Sequence, residues 1–103
     1  MFQRKFLNQL LVEKSRNMYV ILVYDIGEKR VGKVLKLCRR YLNWIQNSVF
    51  EGDITEVKLK ELKAGCEKIM EEEDNMIIFK GKDRRWMEKE VVGRERSSAD
   101  VFL

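Results

Sequence analysis

Three shortages in the composition narrow the chemistry open to this chain. Its sequence contains no histidine, no proline and only two cysteines. Without histidine the chain cannot build a Ser-His-Asp triad, a histidine general base or a histidine-containing zinc site. Cys38 and Cys66 form no CxxC motif, which argues against zinc and against a disulfide scaffold, so we expect two buried thiols. Any chemistry must come from carboxylates, hydroxyls, cations or a recruited metal ion.

Long apolar runs are also missing. No run approaches the ~20 residues that cross a bilayer, so we expect no membrane association. Residues 1–17 are interrupted by charges and lack a small-residue cleavage site, so they do not resemble a signal peptide. We therefore expect a cytoplasmic protein. Residues 1–17 are interpreted as an N-terminal extension: an arm, a leader or an upstream translation start.

Charge is distributed unevenly along the chain, whose formal net charge is +4. Residues 28–44 carry six cations and one acid, and residues 80–96 carry seven cations and four acids. Residues 51–75 carry nine acids and four lysines. The two basic segments predict a surface that binds a polyanion such as a nucleic acid.

The hydrophobic pattern predicts an alternation of strands and helices. Residues 18–24 form a continuous β-rich apolar run, and residues 44–54 read as two short strands around Asn47-Ser48. A helical period begins at Arg30, and a second helix begins around Asp53 to Thr55. A last strand follows at residues 76–79.

The resulting βαββαβ order predicts an α+β, ferredoxin-like domain over residues 18–81. Two helices would cover one face of a four-stranded antiparallel sheet. Residues 82–103 are mainly charged but contain the apolar segments 91–92 and 101–103. Such segments predict an added strand at a sheet edge, either of the same chain or of a partner.

Asp25 is the candidate metal ligand, because it directly follows a buried strand and lies beside basic residues. One carboxylate holds Mg²⁺ or another divalent cation weakly, but a twofold axis would bring two copies of Asp25 together. Such an ion could activate water for phosphodiester hydrolysis without histidine. The cations predicted to hold phosphates are Lys29, Arg30, Lys33, Lys36 and Arg40.

Three segments together resemble the second core family of CRISPR-associated proteins (Cas two). The first is the strand of residues 18–26, which ends in Tyr-Asp-Ile, and the second is Lys-Arg-Val-Gly-Lys at residues 29–33. The third is residues 44–52, which contain the pattern Gln-x-Ser-Val-Phe-Glu. The resemblance covers most of residues 18–79.

The resemblance implies a homodimer in which the C-terminal strand crosses to the partner's sheet. It further implies a role in spacer acquisition and antiviral defence, with the dimer bridging dimers of the integrase subunit (Cas one). Some members are described as metal-dependent endonucleases acting on RNA or on duplex DNA. Asp25 matches the family's metal-binding acid, and Arg30, Ser48 and Phe50 match positions associated with the active site.

Three alternatives to the nuclease remain open at this point. In the first, the protein is a non-catalytic dimeric scaffold that binds the DNA backbone and spaces its partners, and Asp25 is structural. The second is a toxin-type ribonuclease with the same ferredoxin-like fold. The third is an RNA-recognition domain, which shares the βαββαβ order but whose aromatic motif does not match residues 48–53.

Overall fold

The computed structural model describes residues 16–96, and its elements follow the predicted order. They are β1 (Asn17–Asp25), α1 (Glu28–Arg39), β2 (Asn43–Gln46), β3 (Val49–Thr55), α2 (Glu56–Ile69), β4 (Asn75–Gly81) and a short 3-10 helix (Arg84–Trp86). The strands lie side by side in the order β2-β3-β1-β4, and every neighbouring pair is antiparallel. The predicted ferredoxin-like fold is therefore confirmed.

The centre of the sheet is β1, which pairs with β3 on one side and with β4 on the other. Successive side chains of a strand point to opposite faces. Val20 and Leu22 are fully buried under the helices, and Leu22 lies opposite Phe50 of β3, which is also fully buried. The central strand thus supplies the middle of the core, as its continuous apolar run predicts.

Both helices bury one stripe against this face of the sheet. The buried residues are Val34 and Cys38 in α1 and Leu59, Leu62 and Cys66 in α2. Thr55, one of two predicted caps, accepts a hydrogen bond from the Lys58 N–H at 3.2 Å and so begins α2. Within residues 16–96, neither helix combines the length and the apolar character of a segment that crosses a bilayer.

The two cysteines are free and buried, as predicted. They face each other between the helices, and the hydrogen bond that the Cys38 thiol donates to Cys66, together with burial, raises the pKa of the Cys38 thiol. This thiol stays protonated at neutral pH, which makes it a packing residue.

The sheet surface away from the helices carries an apolar group that we call the open face. Its members are Ile21, Val23, Val49, Ile77 and Phe79, which adjoin one another through the registers of β1 with β3 and β4. Ile77 and Phe79 are 52% and 54% exposed. Adjoining half-exposed apolar side chains of this kind form a surface on which a partner can pack.

The segment after β4 covers one end of the same sheet surface. The Arg84 guanidinium lies 6.0 Å from the centre of the Tyr19 ring. The Tyr19 hydroxyl donates to Glu51 Oε2 at 2.6 Å, and Lys89 Nζ lies 3.4 Å from Glu51 Oε1. Burial and the hydrogen bond to Glu51 raise the pKa of Tyr19 to about 12. Tyr19 therefore stays neutral throughout the physiological range.

The predicted C-terminal strand is not formed within residues 82–96, which contain the 3-10 helix and otherwise irregular backbone. Val92 is 92% exposed. Its apolar continuation at residues 101–103 lies outside the described residues, as do residues 1–15 of the predicted N-terminal extension. Exchange of this strand between two chains stays a prediction.

We expect Gly32→Ala to raise the free energy of unfolding by about 0.5–1 kcal/mol, because alanine is the better residue in a helix interior. Gly32 lies within α1, and a Cβ atom there would meet no atom within 4 Å. Chemical denaturation measures the change. Gly65→Ala is the matched control in α2, where the new Cβ would lie 2.8 Å from Leu37 Cδ2. A gain at Gly65 equal to that at Gly32 would contradict the packing described.

Candidate active site

Asp25 is the last residue of β1, and its side chain is exposed. In the alternation along the strand it shares a face with Ile21 and Val23, so it stands at one end of the open face. It lies opposite Asn75, the first residue of β4. A rigid central strand thus presents a carboxylate at the margin of an uncovered apolar surface.

Ser48 and Phe50 reach the neighbourhood of Asp25 in different ways. The Ser48 carbonyl accepts a hydrogen bond from the Tyr24 N–H at 3.2 Å, so this turn adjoins the end of β1. Phe50 is fully buried, and its ring centre lies 6.1 Å from that of Tyr24. Phe50 packs beneath the strand on the core side, and its side chain has no exposed area in the single chain. The catalytic roles of Ser48 and Phe50 stay predictions.

Arg30 is separated from the other predicted phosphate-binding cations by its contacts with acids. Its Nε and Nη2 atoms donate to Asp74 Oδ2 at 2.7 Å and Oδ1 at 3.0 Å. Its guanidinium also lies 3.1 Å from Glu71 and 2.8 Å from Glu73. These three carboxylates occupy the guanidinium in the single chain, and the predicted contact of Arg30 with phosphate stays a prediction.

The Arg30–Asp74 pair persists at any pH at which a nuclease is assayed. Hydrogen bonds from Arg30, with those from the Glu71 and Gly27 N–H groups, hold the pKa of the Asp74 carboxyl well below its usual range. A lowered pKa means that folding favours the charged carboxylate. This contribution to stability is present above the ordinary aspartate pKa of about 4 and is lost only as the pH falls toward the lowered value.

The remaining predicted cations lie exposed on or beside α1. We call Lys29, Lys33, Lys36 and Arg40 the basic face. Within residues 16–96 no carboxylate lies within ion-pair distance of them. By contrast, Lys58 and Lys60 of α2 pair with Glu61 and Glu56. A row of cations without acidic partners is suited to nucleic-acid phosphates.

The donor set fits a divalent cation only in part. Asp25 offers carboxylate oxygens, which are the ligands that Mg²⁺ prefers. Across residues 16–96, however, no group of three or more potential metal-ligating side chains is assembled. Asp25 thus offers a single carboxylate, whereas such an ion usually takes one or two carboxylates together with water and phosphate oxygens.

Sequence reasoning missed Asp74. The acidic run of residues 71–74 follows the C-terminus of α2, where negative charge is unfavourable. In the structure the Asp74 side chain is fully buried, although the neighbouring residues Glu73 and Asn75 are exposed. The unfavourable placement of four acids was the available signal that one of them has a buried partner.

Comparisons with known proteins agree on one family. Residues 18–89 match the family model described as CRISPR associated protein Cas2. A protein of Fusobacterium nucleatum named CRISPR-associated endoribonuclease Cas2 is 45% identical over 92 residues, covering 84% of this chain and 87% of the relative. A protein of the same name from Pyrococcus furiosus is 44% identical over 87 residues, covering 84% of this chain and all of the relative.

Solved structures give the same result. The chain is similar to one described as the crystal structure of cas2, with a TM-score of 0.75 and 41% identity, covering 81% of this chain and 94% of the other. A hypothetical protein from Thermus thermophilus, 24% identical with a TM-score of 0.68, shares the fold and covers 78% of this chain and 95% of the other.

Proposed function

Because this chain belongs to the Cas2 family of CRISPR-associated proteins, we propose that two copies form a divalent-metal-dependent endonuclease. One observation carries the proposal: Asp25 stands at the end of the open face, on the same side as Val23 and Ile77. A second copy packed on this face would cover the apolar residues and bring two Asp25 carboxylates toward one groove. The endoribonuclease names of the relatives support hydrolysis of phosphodiesters.

In the proposed dimer, metal binding and substrate binding would be carried out by different residues. The two Asp25 carboxylates would hold Mg²⁺, which supplies an activated water and neutralises charge developing on the phosphate. Lys29, Lys33 and Lys36 of the basic face would hold the phosphate backbone of the bound nucleic acid away from the metal. The chain has no histidine, so no imidazole is available to act as the base.

Removal of the metal tests the proposal. We expect the purified protein to cleave RNA or duplex DNA in Mg²⁺, and EDTA to lower the rate by roughly 100-fold or more. Excess Mg²⁺ should restore it. Nucleic-acid binding, measured in parallel by fluorescence anisotropy, should change by no more than about twofold, because the basic face is separate from Asp25. Cleavage that persists in EDTA would contradict a metal-dependent mechanism.

A second function, that of a scaffold in spacer acquisition, is favoured by the basic face. Its cations have no acidic partners within residues 16–96, so they can bind a DNA backbone whether or not Asp25 holds a metal. In this alternative the dimer binds captured DNA and bridges the integrase subunit, Cas one. Binding in EDTA together with no cleavage in Mg²⁺ would favour the scaffold over the nuclease.

Both functions predict that loss of charge on the basic face weakens nucleic-acid binding. Lys33→Gln combined with Lys36→Gln should lower affinity for duplex DNA about tenfold near 0.1 M salt. It should also reduce the slope of log K against log salt by about 2, since each lost phosphate contact removes about 0.9. Lys58→Gln with Lys60→Gln is the matched control, because both lysines pair with acids. An equal loss in the two double variants would contradict a localised basic face.

A further inference from the structure

The Asp74 carboxylate is the most completely hydrogen-bonded side chain in the neighbourhood of Asp25. Its Oδ1 atom accepts from the Gly27 N–H at 2.8 Å and from Arg30 Nη2 at 3.0 Å. Its Oδ2 atom accepts from Arg30 Nε at 2.7 Å and from the Glu71 N–H at 2.9 Å. Both oxygens are thus satisfied by a planar guanidinium fork and two backbone amides, in a side chain with no exposed area.

These bonds connect the two chain segments on which Asp25 depends. Gly27 lies two residues after Asp25, and Asn75, the register partner of Asp25, directly follows Asp74. The Asp74–Gly27 bond therefore continues the pairing of β1 with β4 beyond its last residue pair. The connection therefore joins the backbone next to Asp25 to the backbone next to its register partner.

Gly27 shows how closely the guanidinium is seated on the loop after Asp25. A Cβ atom at this position would clash with Arg30 Nη2 and would lie 3.5 Å from Asp74 Oδ1. The guanidinium thus fills the space that a side chain at residue 27 would take. The Arg30 N–H also donates to the Gly27 carbonyl at 2.9 Å, at the start of α1. The loop is held by the backbone and the side chain of the same arginine.

We propose that Arg30 and Asp74 are positioning residues that hold the Asp25 carboxylate in the direction needed to share a metal ion with its copy. This inference rests on the proposed metal-dependent function. It assigns Arg30 to the metal site through the backbone of residues 25–27 rather than to the basic face. A positioning role predicts weaker metal binding in a folded variant, whereas a merely structural role predicts lower stability with unchanged metal affinity.

The experiment measures metal binding and loop order in the full chain. We expect Asp74→Asn to weaken Mn²⁺ binding about tenfold, because residues that orient a metal ligand without binding the metal have effects of this size. Isothermal titration calorimetry measures the affinity. Amide hydrogen exchange at residues 25–27 should speed up in the same variant. Nucleic-acid affinity should stay within about twofold, because the basic face is intact. Arg30→Lys keeps the charge, loses the planar fork and should show the same two changes more weakly.

Asp83→Asn is the matched control. Asp83 also accepts from the guanidinium and the backbone N–H of one arginine, Arg85, but it lies beyond β4, at the opposite end of that strand from Asn75. This variant should leave Mn²⁺ affinity and exchange at residues 25–27 unchanged. Circular dichroism shows whether Asp74→Asn folds. If it does not fold, the Mn²⁺ affinity and the hydrogen exchange of Arg30→Lys test the positioning role instead.

The outcomes separate the positioning role from the proposed function. Unchanged Mn²⁺ affinity in folded Asp74→Asn and Arg30→Lys, beside a wild type that binds Mn²⁺, overturns the positioning role alone. A wild type that binds no Mn²⁺ overturns the proposed function. The exchange data then decide whether the pair orders residues 25–27: faster exchange supports that ordering, and unchanged exchange overturns it.

Discussion

Asp25→Asn is expected to lower Mg²⁺-dependent cleavage by at least roughly 100-fold and to leave the fold and the dimer intact. Asparagine keeps the size of the side chain but removes the negative charge that a divalent cation requires of its few protein ligands. In a dimer the substitution removes both charges at once. The side chain is exposed and has no ion-pair partner among residues 16–96, so Tm should change little. Cleavage rates with purified RNA and duplex DNA measure the effect.

The control for this substitution is Asp53→Asn. Asp53 is also an exposed aspartate, and it lies opposite Tyr19, toward the other end of β1. It shares the sheet surface with Asp25 but is separated from it by the apolar residues of the open face. Cleavage should be unchanged in this variant. If Asp25→Asn retains full activity, Asp25 is not a metal ligand, and the scaffold becomes the better function for this protein.

Phe79→Asp should convert the proposed dimer into a monomer that remains folded. Phe79 is 54% exposed in the single chain and belongs to the open face, so its loss leaves the core under the helices untouched. In the dimer, however, the substitution would place two carboxylates in an apolar interface without partners. We expect the dissociation constant of the dimer to rise by roughly 100-fold or more, measured by sedimentation equilibrium. Cleavage should fall as the dimer dissociates, because the proposed metal site needs one Asp25 from each chain.

Val57→Asp provides a matched control of almost the same exposure. Val57 is 52% exposed, but it lies in the first turn of α2, on the other side of the molecule from the open face. An acid near a helix N-terminus is favourable, so the variant should fold well. It should remain dimeric and active. A Phe79→Asp protein that stays dimeric would mean that two copies meet through another surface.

Local sequence patterns predicted the framework because each element carries its own signal. The run at residues 18–24 could only be a buried strand, and the change to a helical period at Arg30 marked α1. The boundaries moved by a few residues, since α1 begins at Glu28 and ends at Arg39. Leu42, an apolar residue just beyond the end of α1, is nevertheless buried in the core. Periodicity reports which side chains are buried more reliably than where the helix ends.

The candidate site was only partly predictable, because its decisive contacts join residues far apart in the chain. Asp25 is visible in the sequence as an acid at the end of a strand, and the basic face is visible as the excess of cations in residues 28–44. The pairing of Arg30 with Asp74 spans 44 positions and has no local signal. The sequence lists Arg30 among the phosphate-binding cations, whereas the fold turns its guanidinium toward the acidic loop before β4.

The burial of Phe50 was likewise not visible in the motif that contains it. The Gln-x-Ser-Val-Phe-Glu segment places successive residues on opposite faces of β3, so Phe50 enters the core while Glu51 faces Tyr19 on the other surface. A motif in a strand therefore mixes residues that build the site with residues that build the core. Only the direction of each side chain separates the two groups.

The number of metal ions per chain tests the shared site most directly. Isothermal titration of wild-type protein with Mn²⁺, at a concentration where sedimentation shows a dimer, should give one ion for every two chains. Asp25→Asn should give none. One ion for each chain, or a stoichiometry unaffected by Asp25→Asn, would contradict a metal site built from two copies of Asp25.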